Sequence, residues 1–528
     1  MKKTRLLQVG IAAAAAALTL SACAGTGATP DPTATETVAA PPQPLTIGFP
    51  QDMTSMLPAL SYGSKDIQTL DLLYDRLIAV DPATGQLLPD GGLASEWGFT
   101  DDTLQVFDLT IKEGIEFQDG TPLDADAVVA SLNYARQAAA VQPLSIAAKQ
   151  LKPVTDVKAI GENEVEITLG AAYSPFPSVL ASPPGMIISP KALEAYGTDP
   201  TGLQAAQSGA GTGAYKLVSW TKGVGWELEP NPDYWGTAPD LANITITLIP
   251  DSQAQLNALQ AHQVDLIYSV SPTAVPSLQG NPTLRVESEL TPAVSSMQLA
   301  GAGPTADPKV RQAINIGIDR GAVAKAIYLT TPDAEVDLPT NIPAEQGSFP
   351  ATKAPEIIYD TAKAKKLLAS AGYPDGFTLL TCAAADDPIQ QKLDTILQGQ
   401  LAEIGITTQV SILPSTGPCN VATAAGTYGA FFGTVQGQID PYLVYNTELT
   451  IAAAGASYPT ANAALAEVGK SADRDDQIAA YGELNSIWQD AVPTVMLFSN
   501  PMIVGYNGTL KGAAVTYTGE WNLRGLSF

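Results

Sequence analysis

The sequence predicts an α/β protein of at least two packed lobes, and three observations predict it. Apolar and polar residues alternate strictly over positions 107–111, 165–169 and 244–248, which is the period of half-buried strands. Helical spacing is interleaved with them: Val310, Ala313, Ile314, Gly317 and Ile318 share one helical face, and so do Ile478, Tyr481, Leu484, Ile487 and Trp488. Roughly 480 residues follow position 44, against roughly 150 in a usual domain, so one core is too few. No repeat of solenoid or propeller period is present.

The helices carry their own start and stop signals. Asp360 precedes the run Thr361-Ala362-Lys363-Ala364-Lys365-Lys366-Leu367-Leu368, and Gly372 follows Ala371 as a C′ residue. Ser471 and the acids after it announce the helix that carries Tyr481 and Trp488. Beyond the N-terminus no run reaches membrane-spanning length without polar interruption.

The N-terminus is of another kind. Met1-Lys2-Lys3-Thr4-Arg5 is followed by almost only Leu, Val, Ile and Ala to Leu20, a positive n-region and a short apolar h-region, so residues 1–22 are expected to be a signal peptide. The run ends in Leu20-Ser21-Ala22-Cys23, which resembles the lipobox of bacterial lipoproteins and implies cleavage before Cys23 and its lipidation. An ordinary leader that carries a Cys is the alternative. Residues 23–44 hold five Thr, five Pro and no aromatic residue, a composition that does not fold and is expected to form a tether reaching ~70 Å. Together these predict an exported protein anchored by lipid on the outer face of the cytoplasmic membrane.

Charge and cysteine use narrow the partners. The chain has 27 Lys and Arg against 53 Asp and Glu, and loss of Lys2, Lys3 and Arg5 with the leader makes the mature form more acidic still. Phosphate backbones repel such a surface, so nucleic acid is not an expected partner. The charge is spread along the chain and identifies no ligand; it keeps a protein soluble, and a monomer is expected. With Cys23 lipidated, Cys382 and Cys419 remain, and in an exported compartment they are predicted to pair. Two buried free thiols are the alternative.

A set of ordered segments resembles one family. Asp119-Gly120-Thr121-Pro122-Leu123-Asp124-Ala125-Asp126-Ala127-Val128-Val129 is similar to the "DGTPLTADDVV" stretch of the peptide/nickel/opine type of solute-binding proteins of ABC transporters. Local physics agrees: a turn at Asp119-Gly120, Pro122 near a helix start, and Asp124 and Asp126 at the positive helix end. Leu93-Ala94-Ser95-Glu96-Trp97, Gly211-Thr212-Gly213-Ala214-Tyr215, Asn231-Pro232-Asp233-Tyr234-Trp235-Gly236, Val310-Arg311-Gln312-Ala313-Ile314-Asn315 with Asp319-Arg320, Ala371-Gly372-Tyr373-Pro374-Asp375-Gly376-Phe377 and Ile404-Gly405-Ile406 follow in the family's order. Most of these set turns or packing; Tyr234 and Trp235 are expected to pack rather than to touch ligand.

The resemblance implies a two-lobed periplasmic-binding-protein clamp with an extra α/β domain inserted in the first lobe. On this sequence the first lobe takes residues 45–84, 210–294 and 500–528, the insert 85–209, and the second lobe 295–499. It implies capture of a peptide or peptide-like solute between the lobes and delivery to an ABC permease driven by its own ATPase, without enzymatic activity. An opine, an oligosaccharide or a metal chelate is the alternative ligand, and a cell-surface hydrolase with paired carboxylates the alternative class.

Chemistry by other routes finds little support. His262 is the single histidine and is read as a surface residue at a loop or helix end, so neither a histidine triad nor a dense zinc site is expected, and no cofactor or metal. Gly469-Lys470-Ser471 lacks the preceding glycine of a phosphate-binding loop. The acids Asp124/Asp126 and Asp473/Asp475 are read as helix starts rather than calcium ligands.

For the ligand, the most informative stretch runs from Gly433 to Tyr442. In peptide-binding relatives an aspartate four residues before the Pro that Pro441 matches pairs with the peptide's amino terminus; here that place is Gly437. A buried ammonium needs a carboxylate or several acceptors. Either another acid, with Asp440 the candidate, takes that role, or the ligand is not a simple free peptide. Gln436 and Gln438 are candidates for hydrogen bonding a polar ligand, with solvent-facing amides as the alternative. In the first lobe the loop from Gln51 to Tyr62 is expected to face the cleft, with Met53 and Tyr62 as candidate apolar contacts.

Overall fold

The computed structural model describes residues 43–62, 65–143, 145–268, 270–328, 357–385, 388–414, 416–435, 438–452, 458–512 and 515–528. Cys23, with the leader and most of the tether, and Gln436 and Gly437 lie outside the described residues.

One ten-stranded sheet runs through the body. Its order is Ile406–Leu413, Phe377–Ala384, Ala430–Val435, Leu284–Leu299, Thr494–Asn507, Leu266–Ile267, Gln43–Phe49, Leu241–Leu248, Gly225–Pro230 and Tyr215–Thr221. The two ends of this sheet build different cores. Leu45, Ile47, Leu217, Trp226 and Ile244 pack in one, Leu379, Leu397, Ile406 and Phe432 in another. What joins them is the antiparallel pair Leu284–Leu299 and Thr494–Asn507, whose ladder extends from Leu284↔Asn507 to Gln298↔Thr494.

That ladder breaks near its middle, with a second register shift just beyond, between Ser295 and Ser296. The register shifts between Leu290 and Val294, opposite Ser499 to Pro501. Each strand carries a proline at this point, Pro292 and Pro501, and proline has no N–H for a ladder. The break is therefore written into the residues, and it lies where the first core gives way to the second.

Residues 94–169 contain a separate four-stranded antiparallel sheet, in the order Ala94–Phe99, Val106–Ile111, Glu164–Leu169, Val154–Ala159. The alternation read in 107–111 and 165–169 is its burial pattern: Phe107, Leu109, Ile111, Val165, Ile167 and Leu169 are buried and join the first core. The stretch that begins at Asp119 leads into the helix Ala125–Gln137; Gly120 turns with a φ of 78°, and the Asp124 carboxylate accepts from Ala127 N at 2.8 Å as its cap.

In the second half, helix Thr361–Ser370 is capped by Asp360, and helix Pro308–Ile316 buries Val310, Ala313 and Ile314. The helix Arg474–Ala491 starts on Asp473, which accepts from Asp475 N and Asp476 N at 2.9 and 3.1 Å; Ser471 instead accepts from Asp473 N and steadies the cap. Cys382 and Cys419 are disulfide-bonded, with Cα atoms 5.8 Å apart, and tie the strand Phe377–Ala384 to the helix Thr416–Ala424 against Phe431. Among the described residues no helix is long and apolar enough to cross a membrane.

Candidate functional site

Strand direction locates the site. Thr494–Asn507 runs from the second half into the first, and Leu266–Ile267 pairs with it antiparallel, so that strand and its parallel neighbours Gln43–Phe49 and Leu241–Leu248 point their C-terminal ends at the second half. Leu284–Leu299 runs the opposite way. Ala430–Val435 pairs with it antiparallel, and Phe377–Ala384 and Ile406–Leu413 lie parallel to Ala430–Val435, so all three end toward the first half. Two sets of C-terminal strand ends thus face each other across the broken ladder, the place where open α/β sheets bind ligands.

The first half packs a cluster of aromatic rings there, buried as part of its apolar core. Phe49 ends its strand and Tyr268 follows Ile267; with Trp521 they form a triangle of ring centroids 4.9, 5.4 and 5.5 Å apart, backed by Trp226 at 5.8 Å from Phe49. Lys65 Nζ stands 5.7 Å from the Tyr268 ring centroid. The loop from Gln51 to Tyr62 is pinned beside it by two acids. Asp66 accepts from Thr54 N at 3.0 Å, from the Thr54 hydroxyl and from Ser61 Oγ at 2.8 Å; Asp52 accepts from Trp220 Nε1 at 2.8 Å and Gly223 N at 2.6 Å. Met53 sits inside the apolar core at 3% exposure, whereas Tyr62 is 38% exposed.

Behind this cluster lies a network of charges. Arg76 Nη2 donates to both oxygens of Asp71 at 2.6 and 2.7 Å and lies 3.8 Å from Glu520, whose pKa is pushed up to about 7, first by burial and then by Asp71, against the pull of Arg76. Asp75 accepts from Trp235 Nε1 at 2.8 Å, Arg524 Nη1 at 2.9 Å, and Tyr234 OH and Thr212 Oγ1 at 3.1 Å. Tyr234 and Trp235 thus tie Arg524 and the chain's last turn to the first half.

The second half presents Gln438 to Tyr442. Asp440 is 4% exposed and caps the helix Pro441–Ala452: its Oδ1 accepts from Tyr442 N at 2.9 Å and from Tyr481 OH at 2.7 Å. Oδ2 makes no hydrogen bond among the described residues. Burial raises its pKa, opposed by those two bonds and by Arg474. Gln438 is half-buried beside it. The same segment reaches across, for Ile439 and Leu443 belong to the first apolar core and Tyr442 meets Tyr173 edge-on at 5.2 Å.

At the break in the ladder, Asn500 gathers the neighbouring elements. Its Oδ1 accepts from Ser295 Oγ at 2.7 Å and Tyr328 OH at 3.3 Å, its Nδ2 donates to Thr434 Oγ1 at 3.3 Å, and its carbonyl accepts from Thr291 Oγ1 at 2.9 Å.

Among the described residues no group of three or more His, Cys, Asp or Glu could hold a metal ion. His262 is exposed, follows the helix Ser252–Gln260 with a φ of 53°, and lies 3.3 Å from Thr283 Oγ1. That left-handed backbone is the conformation of a residue that ends a helix. Lys470 pairs with Glu467 rather than lining a phosphate loop.

Of the residues singled out from the sequence, Tyr62, Gln438 and Asp440 lie in the two facing segments, and Met53 supports its loop from within. Sequence reasoning passed over Lys65, Tyr268, Trp521 and Tyr173. Tyr268 offered a weak signal as the aromatic residue directly after an apolar strand; Trp521 offered none, since its place depends on an N–H donated to Gln68 Oε1 from 453 residues away.

The sequence model of the bacterial extracellular solute-binding proteins, family 5 Middle, matches residues 89–474. A glutathione-binding protein GsiB of Salmonella paratyphi A is 32% identical over 335 residues, 61% of this chain and 60% of the relative. That of Escherichia coli strain K12 is 30% identical over 328 residues, with the same coverage of 61% and 60%. The chain thus spans about 60% of the length of these curated relatives. Among solved structures, the periplasmic binding protein DppA of Helicobacter pylori in complex with the peptide STSA matches with a TM-score of 0.79 at 21% identity, over 92% of this chain and 98% of that one. AgaA of Agrobacterium tumefaciens R10 in complex with agropinic acid matches at 0.79 and 22%, over 91% and 96%. NikA of Staphylococcus aureus in complex with Ni(L-His)2 matches at 0.78 and 21%, over 92% and 100%. At these identities the likeness is one of fold, that of the two-lobed periplasmic binding proteins.

Proposed function

The chain belongs to the bacterial extracellular solute-binding proteins, family 5, and from that membership we propose that it captures a peptide or peptide-like solute between its two lobes and hands it to an ABC importer. The observation that carries the reading is the pair of opposed strand ends across one broken ladder, since two bodies joined by two strands close by hinge rotation. Closure removes water from the facing surfaces, which strengthens every polar contact made to a solute.

The ligand class follows from the polar groups that face each other. Asp440 Oδ2 is the acceptor available to a ligand ammonium, and Gln438 an amide beside it; Tyr62 supplies apolar contact, with the buried Phe49–Tyr268–Trp521 triangle as the packing that supports that side of the cleft. Glutathione, a short peptide with a free ammonium, heads the test panel because of the relatives named for it. The work is binding alone, with no solute turned over. Export by residues 1–22, lipid on Cys23 and a tether to residue 44 would hold the clamp beside its permease.

Thermal-shift titration with glutathione, di- to pentapeptides, an opine, Ni(L-His)2 and an oligosaccharide tests this. A ligand at a hundred times its Kd stabilises the folded form by about 2.7 kcal/mol. Glutathione or another peptide is expected to raise the melting temperature and to be recovered unchanged. A shift given only by non-peptide solutes would overturn the peptide reading, and recovery of a converted product would overturn binding without catalysis. For the anchor, labelled fatty acid should enter the parent and not the Cys23→Ser protein.

A further inference from the structure

The two lobes touch through more than their facing strand ends. Tyr173 and Ser174 follow the insert strand Glu164–Leu169 and are fixed to that body: Tyr173 N donates to Leu104 O at 3.2 Å and Phe176 N to Tyr173 O at 3.1 Å, with Phe176 packed edge-on against Phe107 at 5.3 Å. From there they reach the second lobe. Ser174 N donates to Gly469 O at 2.9 Å, Ser174 Oγ donates to Val468 O at 3.3 Å, and Gln477 Nε2 donates to Ser174 Oγ at 3.1 Å. Gln477 is itself held by Ser471 O at 2.8 Å, so the receiving surface is as rigid as the hook. Beside these bonds, the Tyr173 ring meets Tyr442 at 5.2 Å, and Ile439 and Leu443 enter the first apolar core.

We propose that the Tyr173–Ser174 hook is a closure latch, a contact made only when the clamp is shut and satisfied entirely by protein groups. Resting on the clamp reading above, it divides the work of closing. Opening about Pro292 and Pro501 pulls the insert from the second lobe and breaks all three hydrogen bonds and the ring contact at once. None of these contacts involves a solute, so the latch adds the same increment to the closed form whatever is bound. Apparent affinity depends on the closed fraction, and the latch therefore sets affinity for every solute by one common factor while the opposed cleft surfaces set selectivity. Its residues are positioning residues.

Donor and acceptor dyes placed at Glu113→Cys on the insert and Lys366→Cys on the second lobe, both exposed, read the lobe separation in the full mature chain with no solute added. Tyr173→Leu removes the ring contact and Ser174→Ala the hydroxyl at the centre of two bonds. Gln477→Glu replaces the donor by a carboxylate facing the Ser471 carbonyl and draws the Ser174 hydroxyl away from Val468 O, a repulsion and a loss that protonation at low pH relieve. Each variant is expected to shift the population toward longer separations, the Gln477→Glu shift reversing on acidification, and to weaken binding of any solute that the parent binds about tenfold. Separations unchanged in all three variants, in proteins whose melts match the parent, would overturn the latch. Loss of binding with unchanged separations would do so as well. Failure of every solute in the panel to bind would instead count against the capture reading and leave the distance measurement valid.

Discussion

Glu448→Gln is expected to stabilise the protein at neutral and alkaline pH while leaving its acid stability unchanged. Glu448 lies on the helix Pro441–Ala452 at 2% exposure. Gln298 Nε2 donates to its two oxygens at 3.1 and 3.2 Å and Thr494 Oγ1 to Oε2 at 2.8 Å, yet among the described residues no Lys, Arg or His pairs with it. Burial pushes its pKa up to about 7 from 4.5, only partly opposed by those neutral donors. A folded-state pKa above the unfolded one means that the folded form holds the proton more tightly. The associated stability is complete below pH 4.5 and is lost as pH rises through 7. At 1.36 kcal/mol per pKa unit the loss is about 3 kcal/mol by pH 8. Glutamine keeps the shape, stays neutral throughout, and brings a side-chain N–H within the setting of Gln298 Oε1, which is buried and has no partner among the described residues. With an unfolding entropy of about 2.1 cal/mol/K per residue over roughly 480 residues, the gain corresponds to about 3 °C. Calorimetric melts of parent and variant from pH 4 to 8 check this, and the difference between them excludes the other raised acids, Glu520, Asp394, Asp440 and Asp108, which both proteins share. A difference that stays flat with pH, or a variant that melts below the parent at pH 8, would refute the assignment of an unpaired buried carboxylate.

Three further expectations concern other parts of the molecule. The paired variant Cys382→Ser with Cys419→Ser opens a loop of 37 residues and should lose about 4 kcal/mol by denaturant unfolding, while the parent should show no reactive thiol in the unreduced mature form. Asp440→Asn keeps an oxygen for Tyr442 N and Tyr481 OH but not the charge, so calorimetric titration should show ammonium-bearing solutes weakened on the order of a hundredfold and their N-acetylated forms much less. Equal weakening of both would assign Asp440 to capping alone. Asp75→Ala leaves Arg524, Trp235, Tyr234 and Thr212 without their common acceptor, and denaturant unfolding should show a loss of about 3–5 kcal/mol.

How legible the protein is from its sequence depends on how far apart the cooperating residues lie. Alternation in 107–111 and 165–169 and the cap at Asp124 are local, and the structure contains them as read. Export, tether and lipid on Cys23 are equally local in the sequence but lie outside the described residues. The break in the crossing strands was visible in principle, since Pro292 and Pro501 interrupt two strand-like runs, but only their pairing brings the two prolines to one break in one ladder. The site is least local of all. Phe49, Tyr268 and Trp521 stand together because a parallel strand pair and the chain's last turn converge, and no spacing along the chain encodes that.

Asp440 shows the limit from the other side. Its place before Pro441 was conspicuous, and it does stand in the segment that faces the first lobe. Sequence alone could not show that the Tyr481 hydroxyl, 41 residues on, takes the same oxygen that caps the helix. That bond fixes the carboxylate's rotation and commits one oxygen to the second lobe's own structure; among the described residues the other makes no hydrogen bond, and the proposed reading gives it to the solute. A carboxylate so divided recognises a single donor in a set direction, which favours one ammonium over a doubly bonding guanidinium. The same capping bond orients Tyr442 toward Tyr173. In the proposed reading, recognition at Asp440 and closure at the latch share one helix start, and a solute engaging the second oxygen would meet the segment that also carries Tyr442.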